Sequence, residues 1–312
     1  MTRIAVMGAS GFVGSAVAAA ARGAGHEVMA VRAPRLGTDP AMHDDAIDLL
    51  SAKLAGCDVV VNCAGNPDAS AAREEDLRTA NAALPGVIGQ AAQKAAVPRY
   101  VHVSSAVVQG RLPMLDSSDS TDAFSPYARS KAEGEIAARN HGPAHTTVYR
   151  PPSVHGSTRR VTRQLSTIAR SPLATVASPG DRPTPQTHIS DVADAILTLA
   201  TSATPPPPVV HHPWQGHTTA GLLRLLGDGR SPRVIPNRFA RALVAAGAGI
   251  ARLVPRVGPY ARRVEMIWFG QRQAISWLTQ HGWRPITTDN DWVLLGQQAR
   301  STHLHMSTKD QR

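Results

Sequence analysis

Three polar side chains near the middle of the chain have the types and spacing needed to move a proton at a substrate oxygen. Tyr127 and Lys131 are four residues apart in a segment with a helical pattern, so both would lie on one helical face, one turn apart. A phenol is a poor base at neutral pH, and a nearby ammonium favours its ionised form. Ser104 and Ser105 stand at the end of an apolar segment, and a serine at the end of a strand can hydrogen-bond a substrate oxygen. The tyrosine, the lysine and one of these serines together predict acid–base chemistry at a substrate oxygen.

A glycine-rich turn near residue 10 has the form of a phosphate-binding loop. Its glycines recur at every third position between a predicted strand and a predicted helix. Glycine lets the backbone turn tightly beside a pyrophosphate, and the helix N-terminus supplies free N–H groups and a positive dipole. The pattern therefore predicts dinucleotide binding by Gly8, Ser10, Gly11, Phe12, Val13 and Gly14.

The end of the second predicted strand indicates which dinucleotide is preferred. In dinucleotide-binding βαβ units, an acidic residue about 20 residues after the glycines binds the hydroxyls of the adenosine ribose, whereas an arginine there accommodates a 2′-phosphate. Arg32 occupies that region, with Arg35 close behind. A guanidinium can pair with the phosphate, so we expect NADP(H). The alternative is that Arg32 is only a solvated surface residue. Asp44 is a candidate adenine contact, although Asp45 could serve instead.

The elements that must hold these side chains alternate regularly in the first half of the chain. The predicted strands are Arg3–Met7, His26–Val31, Asp58–Asn62, Arg99–Ser104 and His145–Tyr149. The predicted helices are Phe12–Arg22, Asp45–Ala55, Glu74–Ala96 and Ser125–Arg139. Strands that alternate with helices form parallel βαβ units, and strands this apolar are covered on both faces. We therefore predict an α/β fold, with a Rossmann-type doubly wound parallel sheet.

The pattern becomes less regular after residue 150, where helices are predicted at Thr158–Arg170, Asp191–Ala200 and Asn237–Val254. Residues 1–155 are expected to form an NADP-binding domain whose sheet is completed by segments from 174–212. Residues 156–300 are expected to form a smaller, mostly helical substrate-binding portion, and residues 301–312 a flexible tail.

Several sequence motifs together resemble a known enzyme family. They include the glycine turn, the segment Asp58–Ala64, the serine turn at Val103–Ala106, the Tyr127/Lys131 pair and the segment Arg150–Gly156. In this order they resemble an extended short-chain dehydrogenase/reductase of the NAD-dependent epimerase/dehydratase kind, over roughly residues 1–290.

The resemblance implies a role for each matching residue. It makes Tyr127 the general acid/base, while Lys131 lowers the pKa of that tyrosine and binds the nicotinamide ribose. It makes Ser105, rather than Ser104, the residue that orients the reacting oxygen. The further cofactor contacts that it implies are Ala64, Gly65, Asn81, Pro151, Ser153 and Val154. It also implies that two copies can pair through helices such as Glu74–Ala96 and Ser125–Arg139.

Departures from the family pattern narrow the expected function. The Asp-Glu pair that dehydratases carry is replaced by Ala106 and Val107, so water elimination has no evident acid and base. Where sugar-nucleotide members carry a diphosphate-binding arginine, the chain has Pro185, Gln186 and Thr187. Arg182 or Arg163 could substitute for that arginine, but neither falls in register. The C-terminal half has an arginine-bearing amphipathic helix at Asn237–Val254 and a closing segment, Gln273–Pro285, that ends in Gly-Trp-Arg-Pro. With these two elements it resembles instead the hydroxysteroid dehydrogenase and dihydroflavonol reductase side of the family.

The leading hypothesis is therefore an NADP(H)-dependent enzyme that interconverts a ketone and a secondary alcohol on a medium-sized, largely apolar metabolite. A sugar-nucleotide epimerase or 4-ketoreductase is the first alternative. A non-catalytic cofactor-binding protein is the second. Trp268, Phe269 and Trp277 could wall an apolar pocket or fill the core of the second domain.

Composition and charge limit the partners. The 312 residues carry a formal charge of +10, and the whole excess lies after residue 150. Eight arginines and no acid lie between Arg230 and Arg263. This segment is either an anionic-partner surface or a solvated face, and the scarcity of aromatic residues favours the second and argues against nucleic acid. Two cysteines exclude a disulfide scaffold, no histidine spacing indicates a metal site, and no apolar segment is long enough for a membrane span. A cytoplasmic location is expected.

Overall fold

The protein is described by a computed structural model that covers residues 1–37, 43–67, 73–253 and 258–309. The strands are β1 Arg3–Met7, β2 Glu27–Val31, β3 Val59–Asn62, β4 Arg99–Val103, β5 Met114–Leu115, β6 His145–Arg150, β7 Ser153–His155, β8 Thr175–Ala177, β9 Gln186–His188, β10 Val209–His211, β11 Arg233–Ile235 and β12 Arg272–Gln273. The helices are α1 Phe12–Gly23, α2 His43–Leu54, α3 Glu74–Arg78, α4 Leu84–Lys94, α5 Pro126–His141, α6 Arg160–Ala169, α7 Ile189–Thr201, α8 Thr219–Leu226, α9 Asn237–Leu253, α10 Gly258–Phe269, α11 Trp277–Gln280 and α12 Asp289–Lys309.

The chain folds into two compact units that are each assembled from separate segments. The first unit contains Met1–Pro152, Ile189–Pro213 and Ile275–Arg284. The second contains Ser153–His188, Trp214–Ala274 and Pro285–Arg312.

A six-stranded sheet forms the centre of the first unit, in the order β10-β6-β4-β3-β1-β2, with every neighbouring pair parallel. Successive side chains of a strand point to opposite faces. Ala5 and Met7 of β1 therefore pack against a core built from α2, α4 and α5, while α1 packs against α7. The α/β, doubly wound parallel fold predicted from the alternating pattern is confirmed.

One predicted helix differs in detail from the observed structure. Residues 74–96 were expected to be continuous, but α3 and α4 are separated by a π-helical turn over Thr79–Ala83. Asn81 lies in this turn and is buried. A π-helical turn contains one extra residue and often occurs at a functional site. The hydrogen bonds of the Asn81 side chain are described with the candidate site below.

The second unit has its own apolar core around Trp292, with Leu165 of α6 and Leu222, Leu223 and Leu226 of α8. Two parallel strand pairs, β7 with β9 and β8 with β11, complete it. Helix α12 continues to Lys309, into the segment expected to be a tail, and residues 310–312 lie outside the described residues. Among the described helices, none combines the length and apolar character that a membrane span requires.

Candidate active site

The glycine turn joins β1 to α1 in a backbone conformation that larger residues would prevent. Gly8 has φ +72°, and a Cβ there would lie 2.9 Å from the backbone of Ala64. A Cβ on Gly14 would lie 2.2 Å from the carbonyl oxygen of Gly8. Gly11 forms the N-cap of α1, so the N-terminus of the helix and the positive end of its dipole lie at the turn. The turn therefore has the close packing and the helix N-terminus of an anion-binding loop.

The predicted 2′-phosphate residues follow the neighbouring strand. The Gly8 amide donates to the carbonyl of Val31, the last residue of β2, at 3.4 Å. Arg32 comes directly after Val31, and both Arg32 and Arg35 are exposed. Asp44 lies in the exposed first turn of α2. Arg32 is thus adjacent to the glycine turn, as the predicted NADP(H) site requires.

Asn81 holds the loop that follows β3. Its side-chain oxygen accepts from the Asn66 amide at 2.9 Å, and its side-chain nitrogen donates to the Asn66 carbonyl at 3.0 Å and to Ser130 Oγ at 3.2 Å. Gly65 has φ +156°, and a Cβ there would lie 2.7 Å from the Asn81 side-chain oxygen. The Asn81 amide therefore positions the loop of Ala64 and Gly65 through these contacts.

The two adjacent serines at the end of β4 have different partners. Ser104 is buried and donates to Glu135 Oε1 at 2.5 Å. Ser105 is half-buried and caps the short 3₁₀ helix Ala106–Gln109, accepting from the Val107 amide at 3.3 Å. Since the hydroxyl hydrogen of Ser105 is not used in this cap, Ser105 can donate a hydrogen bond to a substrate oxygen.

Helix α5 carries the predicted tyrosine and lysine. Ser125 caps it by accepting from the Ala128 amide at 3.1 Å, which places Tyr127 in the first turn. Lys131 is buried, and its Nζ donates to the Val103 carbonyl at 2.8 Å. Burial lowers the pKa of Lys131 to about 8, although Glu135 and Cys63 act in the opposite direction. Lys131 thereby joins the Tyr127 helix to the end of β4, two residues before Ser105.

Glu135 and Arg150 form a buried ion pair that the sequence argument missed. Glu135 is 2% exposed and Arg150 is 1% exposed, and Arg150 Nη2 lies 2.6 Å from Glu135 Oε2. Arg150 also donates to the carbonyl of Ser118 at 2.7 Å. The pair therefore connects α5, the end of β6, Ser104 and the loop after the serine turn. Glu135 follows Lys131 by four residues, so the same helical spacing that identified Tyr127 and Lys131 could have found it.

The other predicted residues fall in two places. Pro151 lies in the first unit, where its carbonyl accepts from the Ala106 amide at 2.8 Å. Ser153 and Val154 belong to β7 of the second unit. Of the aromatic residues considered for a pocket, Trp268 donates to Thr175 Oγ1, Phe269 lies under the guanidinium of Arg241, and Trp277 stacks on His281.

Comparison with known proteins decides the family. Residues 4–210 match the sequence model of the NAD dependent epimerase/dehydratase family, which is more than half of the chain. This chain belongs to that family. No match was found among curated protein sequences.

Solved structures agree with this family assignment at the level of the fold. Human epimerase family protein SDR39U1, solved with NADPH, is 22% identical, with a TM-score of 0.66 over 96% of this chain and 99% of that one. MoeE5, in complex with UDP-glucose and NAD, is 20% identical, with a TM-score of 0.65 over 97% and 99%. A dTDP-4-dehydrorhamnose reductase from Bacillus anthracis, in complex with NADP, is 14% identical, with a TM-score of 0.64 over 94% and 97%.

The residues present fit the dinucleotide that the family description names. A Cβ on Gly14 would lie 2.2 Å from the carbonyl oxygen of Gly8, so the turn packs tightly on the start of α1. Gly11 is the N-cap of α1, so the positive end of the helix dipole lies at the turn, which suits a pyrophosphate. Gly8 and its neighbours would hold the phosphates, and Lys131 is within one helical turn of Tyr127 for the nicotinamide end.

Proposed function

We propose that this family member is an NADP(H)-dependent oxidoreductase that interconverts a ketone and a secondary alcohol, with Tyr127 as the general acid/base. The observation that carries the proposal is the hydrogen bond from Lys131 Nζ to the Val103 carbonyl at 2.8 Å. Lys131 belongs to α5, the helix that carries Tyr127. The hydrogen bond holds its ammonium at the end of β4, two residues before Ser105.

Each residue of the set has one task. The Tyr127 hydroxyl gives its proton to the substrate oxygen in reduction and accepts it in oxidation. The ammonium of Lys131 stabilises the phenolate that remains. Ser105 donates a hydrogen bond to the same substrate oxygen and fixes its orientation. When bound, the dinucleotide supplies the hydride chemistry.

A catalytic assay tests this proposal directly. We expect purified protein to consume NADPH with at least one compound from a panel of apolar ketones, and Tyr127→Phe to lose at least about 100-fold in kcat. NADPH fluorescence should show that Tyr127→Phe still binds the dinucleotide. Full turnover in Tyr127→Phe would refute the assigned role. Dinucleotide binding without turnover across the panel would favour the non-catalytic alternative.

The preference for NADP(H) rests on Arg32 and Arg35. Arg32 follows β2 directly beside the glycine turn, and both side chains are exposed. We expect Arg32→Gln/Arg35→Gln to weaken NADPH binding at least about tenfold, because charge-assisted phosphate contacts are lost, and to leave NADH binding unchanged. Arg22→Gln/Arg224→Gln removes two exposed charges elsewhere and is the matched control for lost charge. An equal loss for both dinucleotides would contradict the preference.

A largely apolar substrate is proposed over a sugar nucleotide. At the register where sugar-nucleotide members carry an arginine, Pro185 and Thr187 are buried, and Gln186 Oε1 is hydrogen-bonded to His155 Nε2 at 2.6 Å. These side chains offer no cation to a diphosphate. The alternative is supported by similar structures whose names include a UDP-glucuronic acid 4-epimerase and a dTDP-4-dehydrorhamnose reductase. Saturable binding of UDP in the presence of NADPH would favour it.

A further inference from the structure

Helix α9 of the second unit packs on the protein through its small side chains and leaves its larger apolar side chains in solvent. Ala240 is fully buried and Val244 is half-buried. Phe239, Leu243 and Ile250 are 56%, 59% and 53% exposed. An amphipathic helix that only completes a core has the opposite arrangement.

The exposed apolar side chains form one continuous stripe. Phe239, Leu243, Ala246 and Ile250 follow the spacing i, i+4, i+7 and i+11, so they lie on one face of α9. We define these four residues as the α9 stripe. Val234, 57% exposed, lies in the strand just before the helix. Several large apolar side chains grouped on one exposed face mark an interaction surface.

One arginine lies beside the α9 stripe, and the sequence around the stripe carries no acidic residue. Arg238 is exposed, and its guanidinium lies 5.1 Å from the ring centroid of Phe239. Arg233 is exposed in β11, just before the helix, whereas Arg241 lies on the opposite side of α9, with its guanidinium 5.5 Å from the ring centroid of Phe269. The sequence has no acidic residue between Asp228 and Glu265. A partner that matches this surface of α9 therefore presents apolar groups to the stripe and negative charges to the arginines.

We propose that the α9 stripe and its arginines bind the surface of an anionic lipid bilayer. The apolar side chains would enter the boundary between headgroups and acyl chains, while the guanidinium groups meet the phosphates. A second copy of this chain would bring like-charged arginines face to face. A nucleic acid would pair with the arginines but offers nothing apolar to Leu243 and Ile250, and Phe239 is the one aromatic residue in the stripe. The contact is peripheral, and it does not depend on the proposed function.

Vesicle co-sedimentation of the full chain tests the proposal. We expect binding to vesicles of phosphatidylglycerol and phosphatidylcholine in equal parts, weak binding to phosphatidylcholine alone, and loss of binding at high salt. Phe239→Ser/Leu243→Ser should lower the binding constant at least about tenfold, because apolar area no longer enters the bilayer. Leu49→Ser is the matched control for Leu243→Ser alone, since Leu49 on α2 and Leu243 are 58% and 59% exposed. Circular dichroism confirms that each variant is folded.

Charge variants separate the lipid surface from other partners. Arg233→Gln/Arg238→Gln should weaken binding about fivefold for each arginine removed, whereas Arg22→Gln/Arg224→Gln removes the same charge elsewhere and should have a much smaller effect. No vesicle binding, or equal loss in the Leu49→Ser control, would overturn the proposal. Self-association without lipid would also overturn the proposal if Phe239→Ser/Leu243→Ser abolished it. Binding of nucleic acid with an affinity that Leu243→Ser leaves unchanged would overturn it as well.

Discussion

At the scale of single residues, the adjacent serines at the end of β4 differ in their hydrogen-bond partners, and we propose a chemical role for only one of them. Ser104 donates to the buried carboxylate of Glu135, whereas Ser105 keeps its hydroxyl hydrogen for another acceptor. We expect Ser105→Ala to lower kcat about 100-fold with little change in the free energy of unfolding, because a donor to the reacting oxygen is lost. Ser104→Ala should lower that free energy by about 2 kcal/mol. Steady-state kinetics and urea unfolding measure both effects, and the reverse assignment would contradict Ser105.

Lys131 makes the stability of the fold depend on pH in the alkaline range. Burial lowers its pKa from the ordinary 10.5 to about 8. Between these values the unfolded chain holds a proton that the folded chain has released, so raising the pH through this interval favours the folded state. We expect the free energy of unfolding to rise, relative to Lys131→Met, by up to about 3 kcal/mol between pH 8 and pH 10.5.

The comparison with Lys131→Met isolates this lysine from other groups that titrate in the same interval. Both proteins should be unfolded with urea at several pH values, and the difference between their unfolding free energies should be plotted. Below pH 8 the difference should be constant. Parallel curves across the whole range would show that the buried ammonium keeps its ordinary pKa.

At the scale of elements, a single face of α5 carries the two proposed catalytic side chains of this helix and the buried carboxylate that anchors it. Tyr127, Lys131 and Glu135 follow one another at intervals of four, and Glu135 joins the helix to β6 through Arg150. We expect Glu135→Gln to cost about 3–5 kcal/mol of unfolding free energy, because it leaves the buried Arg150 charge uncompensated. Glu133→Gln on the same helix is the control: its partner Arg78 is 3.3 Å away at the surface, so the cost should be below about 1 kcal/mol. Equal costs would contradict the supporting role.

The first turn of α1 offers a similar test of the dinucleotide site. A Cβ on Gly14 would lie 2.2 Å from the Gly8 carbonyl oxygen, whereas one on Gly23, in the same helix, would meet nothing within 4 Å. Gly14→Ala should therefore lower both stability and NADPH affinity, the latter at least about tenfold. Gly23→Ala should be neutral or stabilising by up to about 1 kcal/mol. NADPH titration and thermal melting distinguish the two. Unchanged NADPH affinity in Gly14→Ala would argue against phosphate binding at this turn.

The local sequence pattern was enough to predict the strands and helices of the sheet, but not the side-chain contacts between residues that are distant in sequence. Strand β1 and the start of α1 agree with the sequence prediction at Arg3–Met7 and Phe12, because apolar runs and glycines are local signals. The π turn around Asn81 was not predicted, since the hydrogen-bond partners of the Asn81 side chain, Asn66 and Ser130, are distant in sequence. The Glu135–Arg150 pair was missed for the same reason. The roles of Ser105, Tyr127 and Lys131 remain predictions.

At the scale of the whole molecule, the order of the chain makes the first unit depend on distant segments. Helix α7, which packs against α1, and strand β10, which pairs with β6, both come after residue 188. Trp283, near the end of the chain, donates to Asp194 of α7 at 2.7 Å. The dinucleotide-binding unit is therefore complete only after the chain has passed through the second unit.

A truncation tests this dependence. The fragment Met1–Pro152 contains the glycine turn and the Tyr127 helix but lacks α7 and β10, so β6 becomes an open edge and the apolar face of α1 loses its cover. Since open edges and exposed apolar faces favour aggregation, we expect this fragment to be largely unfolded or aggregated and to bind no NADPH. Joining Ile189–Pro213 to Pro152 by a flexible Gly/Ser linker restores both elements and should recover α/β circular dichroism and NADPH binding. If the fragment Met1–Pro152 alone bound NADPH as tightly as the full chain, the later segments would not be required for the site.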